Sequence, residues 1–190
     1  MAQCRQHHFI MEALAPVRPT RAHKDVDLAI LRRDQRTLYR YLHARGWSLE
    51  TAHEGTLTRW DGAPLALPIH TLWCSNPRHD PSFLEVLFNE NDGDHLLFRR
   101  DPSIRLRLED AFPHRPSGWP ILAPEIVLLY KSKYSDEDDI RADFLNTLPS
   151  LDKRQRAWLH ETISTLYGVH DWLRELELQT LRQPQPHSGV

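Results

Sequence analysis

The sequence predicts an α+β fold, and three observations carry that prediction. The 190 residues are 40% hydrophobic and 26% charged, the make-up of one compact domain or two small ones. A chain of this length can bury roughly 70% of its extended surface without disulfide or metal staples. Between Asp25 and Arg99 the chain runs in short β-prone stretches separated by turn signals. From about Ala123 the apolar residues recur at helical spacing instead. The expected architecture is therefore a mixed β-sheet core with flanking helices and a helical C-terminal part, dividing near Pro116 to Pro120.

The elements follow in chain order. After an irregular start containing Pro16 and Pro19, Asp25-Val-Asp-Leu-Ala-Ile-Leu31 alternates polar and apolar positions before turning aliphatic, which predicts a strand. Asp34 is placed to cap a helix running to about Arg45, with Leu38, Tyr41 and Leu42 at helical spacing and Gly46 to stop it. Strands are expected at Trp47–Ala52, Thr56–Trp60, Ile69–Cys74, Phe83–Phe88 and His95–Arg99. Pairs such as Glu54-Gly55 and Asp61-Gly62 mark the turns between them, and Asp92-Gly93 predicts a hairpin. Pro124 and Glu125 suit the first turn of a helix carrying Ile126, Leu129, Tyr130 and Tyr134. A second helix is expected over Asp139–Leu148. Asp152 and Gln155 form a capping-box start for a third, lined by Leu159, Ile163 and Leu166. Trp172, Leu173, Leu176 and Leu181 mark a last helix before a polar tail at Gln183 to Val190.

A formal net charge of -2 lacks the positive field of a duplex-binding protein, so no nucleic-acid partner is expected. No apolar run reaches the roughly 18 residues of a membrane span, and no secretory signal is present. Cys4 and Cys74 lie far apart, which fits a reduced, cytoplasmic protein. Cys4, His7 and His8 form a small cluster of soft ligands but lack a fourth at finger-like spacing. The chain has 7 glycines against 14 prolines, and the first glycine is Gly46.

The chemistry concentrates in carboxylates. On a strand, Asp25 and Asp27 project to one side while Val26, Leu28 and Ile30 take the other. Adjacent carboxylates repel unless a hard cation such as Mg²⁺ lies between them; a solvent-facing strand end gives the same spacing. Glu85, amid Phe83-Leu-Glu-Val-Leu-Phe88, is a lone acid in an apolar strand and points away from Leu84, Val86 and Phe88. If that strand lies near the first, three carboxylates can share one metal pair and bind a nucleoside triphosphate. Glu85 would then be a metal ligand or the acceptor of a hydroxyl proton.

Several unlike motifs occur in order around these acids. They are Asp25-Val-Asp27, Arg32-Arg-Asp-Gln35, Gly55-Thr-Leu-Thr-Arg-Trp60, Glu85-Val-Leu-Phe-Asn-Glu90, Phe98-Arg-Arg-Asp101 and Leu122-Ala-Pro-Glu-Ile-Val-Leu-Leu-Tyr-Lys131. With Ala157-Trp-Leu159 and His170-Asp-Trp-Leu173, the ordered set resembles the small nucleotidyltransferases of the aminoglycoside-adenylyltransferase type, from about Arg18 to Leu173. The resemblance implies the polymerase-β-like nucleotidyltransferase fold, with residues 1–17 a divergent segment, 18–118 the catalytic sheet domain, 119–182 the helical part and 183–190 a tail. It implies that Asp25, Asp27 and Glu85 bind Mg²⁺ and that Lys131 meets the β- or γ-phosphate of ATP. The reaction implied is transfer of a nucleoside monophosphate to a hydroxyl of a small cationic acceptor, with release of pyrophosphate.

The chain departs from the pattern twice. Relatives of this kind carry a Gly-Gly or Gly-Ser turn before the acid pair; here Gln6-His-His-Phe-Ile-Met-Glu-Ala-Leu14 stands instead. A start that is shortened or altered, or phosphate held by other groups, is the expectation. A Lys-Asp pair before Ala142-Asp-Phe144 is replaced by Asp136-Glu-Asp-Asp139. That acidic run suits a helix start or attracts a polyamine acceptor, with Asp139 and Asp143 as candidate contacts. His23 is a candidate for a phosphate contact or a turn residue, and Trp47, Trp60, Trp73 and Trp119 for core or for stacking on a ring. Two other readings stand beside the enzyme of small molecules: a relative that binds ligand without turnover, and a transferase acting on a protein hydroxyl or an RNA end.

Overall fold

A computed structural model describes residues 10–11, 26–113 and 121–182. The chain divides between Leu122 and Ala123 into two compact units, a sheet unit and a helical unit.

The sheet unit starts with β1 (Ile10–Met11) and β2 (Val26–Leu31). A turn of 3-10 helix, Arg32–Asp34, leads into α1 (Gln35–His43). Asp34 is not the expected cap: its side chain makes no capping hydrogen bond, because the helix is entered through that tighter turn. Gly46, at φ +77°, turns the chain into β3 (Ser48–His53), followed by β4 (Thr56–Arg59), β5 (Thr71–Ser75), β6 (Phe83–Asp92) and β7 (His95–Leu97). β6 and β7 form the expected hairpin, in which Asp92 pairs with His95 across Gly93 at φ +54°. β8 (Arg105–Arg107) and the short α2 (Leu108–Ala111) complete the unit.

The sheet runs β1-β2-β6-β5-β3-β4, with β7 beside β6 and β8 beside β7. β2 and β6 pair in parallel and the other ladders are antiparallel, so the sheet is mixed and the fold is α+β. Alternation sorts its faces. Leu28, Ile30, Leu49, Leu72, Cys74, Val86 and Phe88 form one face, clustered with Leu38 and Leu42 of α1 and with Trp47 and Trp60. Each such side chain contributes about 1.5–3 kcal/mol by leaving water. Trp47 and Trp60 are thus core; Trp119 and the Cys4, His7 and His8 cluster lie outside the described residues.

The helical unit contains α3 (Pro124–Lys131), α4 (Asp138–Thr147), α5 (Lys153–Tyr167) and α6 (Asp171–Arg182). The capping box is present: Asp152 accepts from the Gln155 N–H at 2.8 Å, and the Gln155 side chain accepts from the Asp152 N–H at 2.9 Å. Leu159, Ile163, Phe144, Trp172 and Leu176 are buried, with the Phe144 and Trp172 rings stacked at 4.1 Å. Leu166 is only half-buried, and Tyr134, expected on the apolar stripe of α3, lies in a 3-10 turn beyond that helix and is exposed.

Candidate functional site

The parallel ladder sets Asp27 of β2 directly beside Glu85 of β6. Paired residues on neighbouring strands share a face about 4.8 Å apart, and here it is the face away from α1. Asp27 is half-buried, and its Oδ1 is shut off from solvent with no hydrogen-bond partner among the described residues. A buried carboxylate oxygen without a donor is costly unless a cation or ligand proton meets it. Asp25 and His23 lie outside the described residues, so the third member of the expected acid set and the expected phosphate contact have no described position. Among the described residues no group of three or more His, Cys, Asp and Glu side chains is arranged to hold a metal ion.

The same register continues across the sheet. Glu85 pairs with Trp73 of β5, Trp73 with Glu50 of β3, and Glu50 with Arg59 of β4. One face therefore presents the row Asp27, Glu85, Trp73, Glu50, Arg59. Trp73 is 38% exposed, and Phe83 meets its ring edge-on at 5.8 Å. Glu50 escaped sequence reasoning altogether. The alternation Leu72, Trp73, Cys74 does signal that Trp73 opposes the core face, but only the strand register brings it to the acids.

A second polar cluster lies at the other end of β2 and β6, roughly 16 Å along the strands by their rise per residue. Arg32 donates from Nε to Glu90, packs 5.4 Å over Phe88, and donates from Nη1 to the Leu65 carbonyl at 3.4 Å. Gln35 accepts from the Leu65 N–H at 2.6 Å and donates to its carbonyl at 3.3 Å, so these side chains fasten the β4–β5 connection. His70, in that connection, has its pKa lowered by burial and then by the charges of Arg99 and Arg32.

In the helical unit Lys131 donates to the buried Asp143 at 2.9 Å. The two residues expected to serve different ligands are thus each other's partner, an ammonium retaining two further donors. Asp136, Glu137, Asp138 and Asp139 are exposed in the turn and first residues of α4, where acidic groups suit the helix dipole. His170 is fixed by backbone: Nε2 lies 2.9 Å from the Ser132 carbonyl and Nδ1 accepts from the Trp172 N–H at 3.2 Å. His160 lies 3.1 Å from Glu177 on the surface. Cys74 is buried, and burial pushes its thiol up to about 12, which leaves no nucleophile at neutral pH.

No protein-family model matches the chain, and no curated protein does either.

Proposed function

We propose that this protein is a Mg²⁺-dependent nucleotidyltransferase that moves AMP from ATP to a hydroxyl of a small cationic acceptor such as an aminoglycoside. The observation that supports this best is the pairing of Asp27 with Glu85, one of whose neighbouring oxygens, Asp27 Oδ1, is buried without a hydrogen-bond partner among the described residues. Two carboxylates in register with an oxygen that lacks a donor fit a hard cation, which takes its remaining oxygens from phosphate and water. Asp27 and Glu85, with Asp25, would hold it. When bound, Mg²⁺ offsets the charge that builds on the α-phosphate and on departing pyrophosphate.

The chain's own contribution is proton handling and placement. The acceptor hydroxyl oxygen forms a bond to the α-phosphorus as the bond from phosphorus to the pyrophosphate oxygen breaks. Its proton passes to a carboxylate, for which Glu85 is the candidate base. Aligning these groups supplies most of the acceleration in phosphoryl transfer. Lys131 and the buried Asp143 are committed to each other, so neither is assigned to a ligand in this proposal, and Asp139 is an exposed acid at the start of α4. The nucleotidyltransferase-like core is part of the same proposal, resting on the ordered motifs and on a mixed sheet with a parallel acid-bearing pair.

One observation favours a second reading, ligand binding without turnover: residues 1–45 hold no glycine, so a backbone cradle for phosphate lacks its usual residue. The deciding experiment measures pyrophosphate release from ATP with Mg²⁺ and kanamycin, and the mass of the product. The expected result is an adenylylated acceptor and a loss of at least about 100-fold in Asp27→Asn, since a neutral amide removes the charge and one of the two carboxylate oxygens. Turnover absent from the native protein, or undiminished in the variant, would overturn the enzymatic reading.

A further inference from the structure

The face that carries Asp27 and Glu85 does not end with them. Trp73 stands one strand further, with Glu50 beyond it, all in direct register. The two glutamates flank the indole, about 10 Å apart at twice the strand spacing. A tryptophan inside a five-residue central strand is ordinarily a core residue, yet this one keeps 38% of its surface open. Phe83 meets it in a T-shaped contact at 5.8 Å, which helps to hold the ring while more than a third of the residue stays open to a ligand. Acids on both sides exclude anions from that surface and favour cations, and an indole face attracts ammonium groups.

We infer that Trp73, flanked by Glu85 and Glu50, is the binding platform for a cationic ring, an amino sugar or aminocyclitol, and so a specificity-determining residue for the acceptor. This rests on the proposed nucleotidyl transfer for its meaning, though not for its test. A ring stacked on Trp73 lies one strand spacing, about 5 Å, from Glu85. A hydroxyl on that ring reaches the carboxylate proposed to take its proton, while ring amines meet Glu50 on the other side. Asp27 lies one strand beyond Glu85, where its solvent-shielded Oδ1 belongs with the phosphate end of the reaction. Arg59, the register partner of Glu50, closes the row with a positive charge, so an acceptor with amines at one end and a hydroxyl at the other has one favoured orientation. The competing occupant is the adenine of ATP, which stacks as well on an indole but gains nothing from two flanking acids.

Equilibrium binding in the absence of turnover decides it. Calorimetric titrations use the full chain and its Trp73→Ala, Trp73→Phe and Glu50→Gln variants, with kanamycin (ring and amines), spermidine (amines alone) and Mg²⁺–ATP as separate probes. Kanamycin affinity is expected to fall at least 10-fold in Trp73→Ala, to recover substantially in Trp73→Phe, and to fall several-fold in Glu50→Gln. Mg²⁺–ATP is expected to bind Trp73→Ala as it binds the native protein, and spermidine, which meets the indole with amines alone, is expected to lose less affinity than kanamycin. Loss of Mg²⁺–ATP binding in Trp73→Ala would assign the indole to the nucleobase and overturn the inference, as would unchanged kanamycin affinity or no kanamycin binding by the native chain. Because no step of this experiment requires catalysis, failure to adenylylate would strike the proposed function alone.

Discussion

Glu125 sits in the first turn of α3 only 3% exposed, accepting a hydrogen bond from Gln155 Nε2 at 2.7 Å. Burial pushes its carboxyl up from 4.5 to about 7; the backbone N–H, Gln155 and the charge of Arg154 pull it down, while Asp152 adds to the rise. The native state therefore keeps a proton that the unfolded chain releases near 4.5, and stability falls as the pH climbs from about 4.5 through 7. The loss amounts to on the order of 3 kcal/mol at most. Glu125→Gln is expected to flatten this slope and to match or exceed native stability at high pH, measured by urea unfolding on either side of neutrality. Equal slopes in both proteins would show that another group is responsible. Glu125 was legible as a helix-start residue, because first-turn acids are common; its burial was not, since that depends on how α5 packs. Asp27 and Glu85 were legible for the opposite reason, standing as charges inside apolar runs. Trp73 was not, because its type is as common in cores as at sites.

Gln155 couples two helices through one side chain. Its Oε1 accepts the N–H of Asp152 at the start of α5 and its Nε2 reaches Glu125 on α3. Asp152→Ala removes one side of the capping box and should cost about 1 kcal/mol. Gln155→Ala removes the other side and also strips a buried carboxyl of its donor, so about 2 kcal/mol is expected. Chemical denaturation of the single and double variants tests this: a strictly additive pair would refute the reciprocal box, and a Gln155→Ala loss no larger than that of Asp152→Ala would refute the link to Glu125. At this scale the sequence was most readable where order is local. α1 and the helices from α3 to α6 were visible through their period, whereas β8 and α2 were not, because Arg105-Leu-Arg107 carries little apolar content for alternation to act on and Leu108–Ala111 is a single turn. The 3-10 entry to α1 also escaped, since Asp34 has the composition of a cap without making its hydrogen bond. The parallel pairing of β2 with β6 lies beyond periodicity altogether, because three strands and a helix intervene between the partners.

That long-range register has an energetic consequence for the molecule as a whole. It sets Asp27 against Glu85 across one strand spacing, where two negative charges repel, and buries an oxygen of Asp27 without a donor among the described residues. If the pair holds a cation, as proposed above, binding relieves that repulsion, and the ligand rather than the fold accounts for the two acids standing side by side. Asp27→Asn tests it without reference to turnover. In metal-free buffer the variant should melt no lower than the native protein, because it loses a repulsion. With Mg²⁺–ATP at about 100 times its dissociation constant, the native protein should gain about 2.7 kcal/mol and melt several degrees higher. Asp27→Asn should show little of that gain, and chelating the metal should abolish it in the native protein. Since each unit has its own buried core, scanning calorimetry should place the shift in the transition of the sheet unit. A variant that melts lower without metal and keeps the full ligand shift would mean that Asp27 serves the fold and not the ligand.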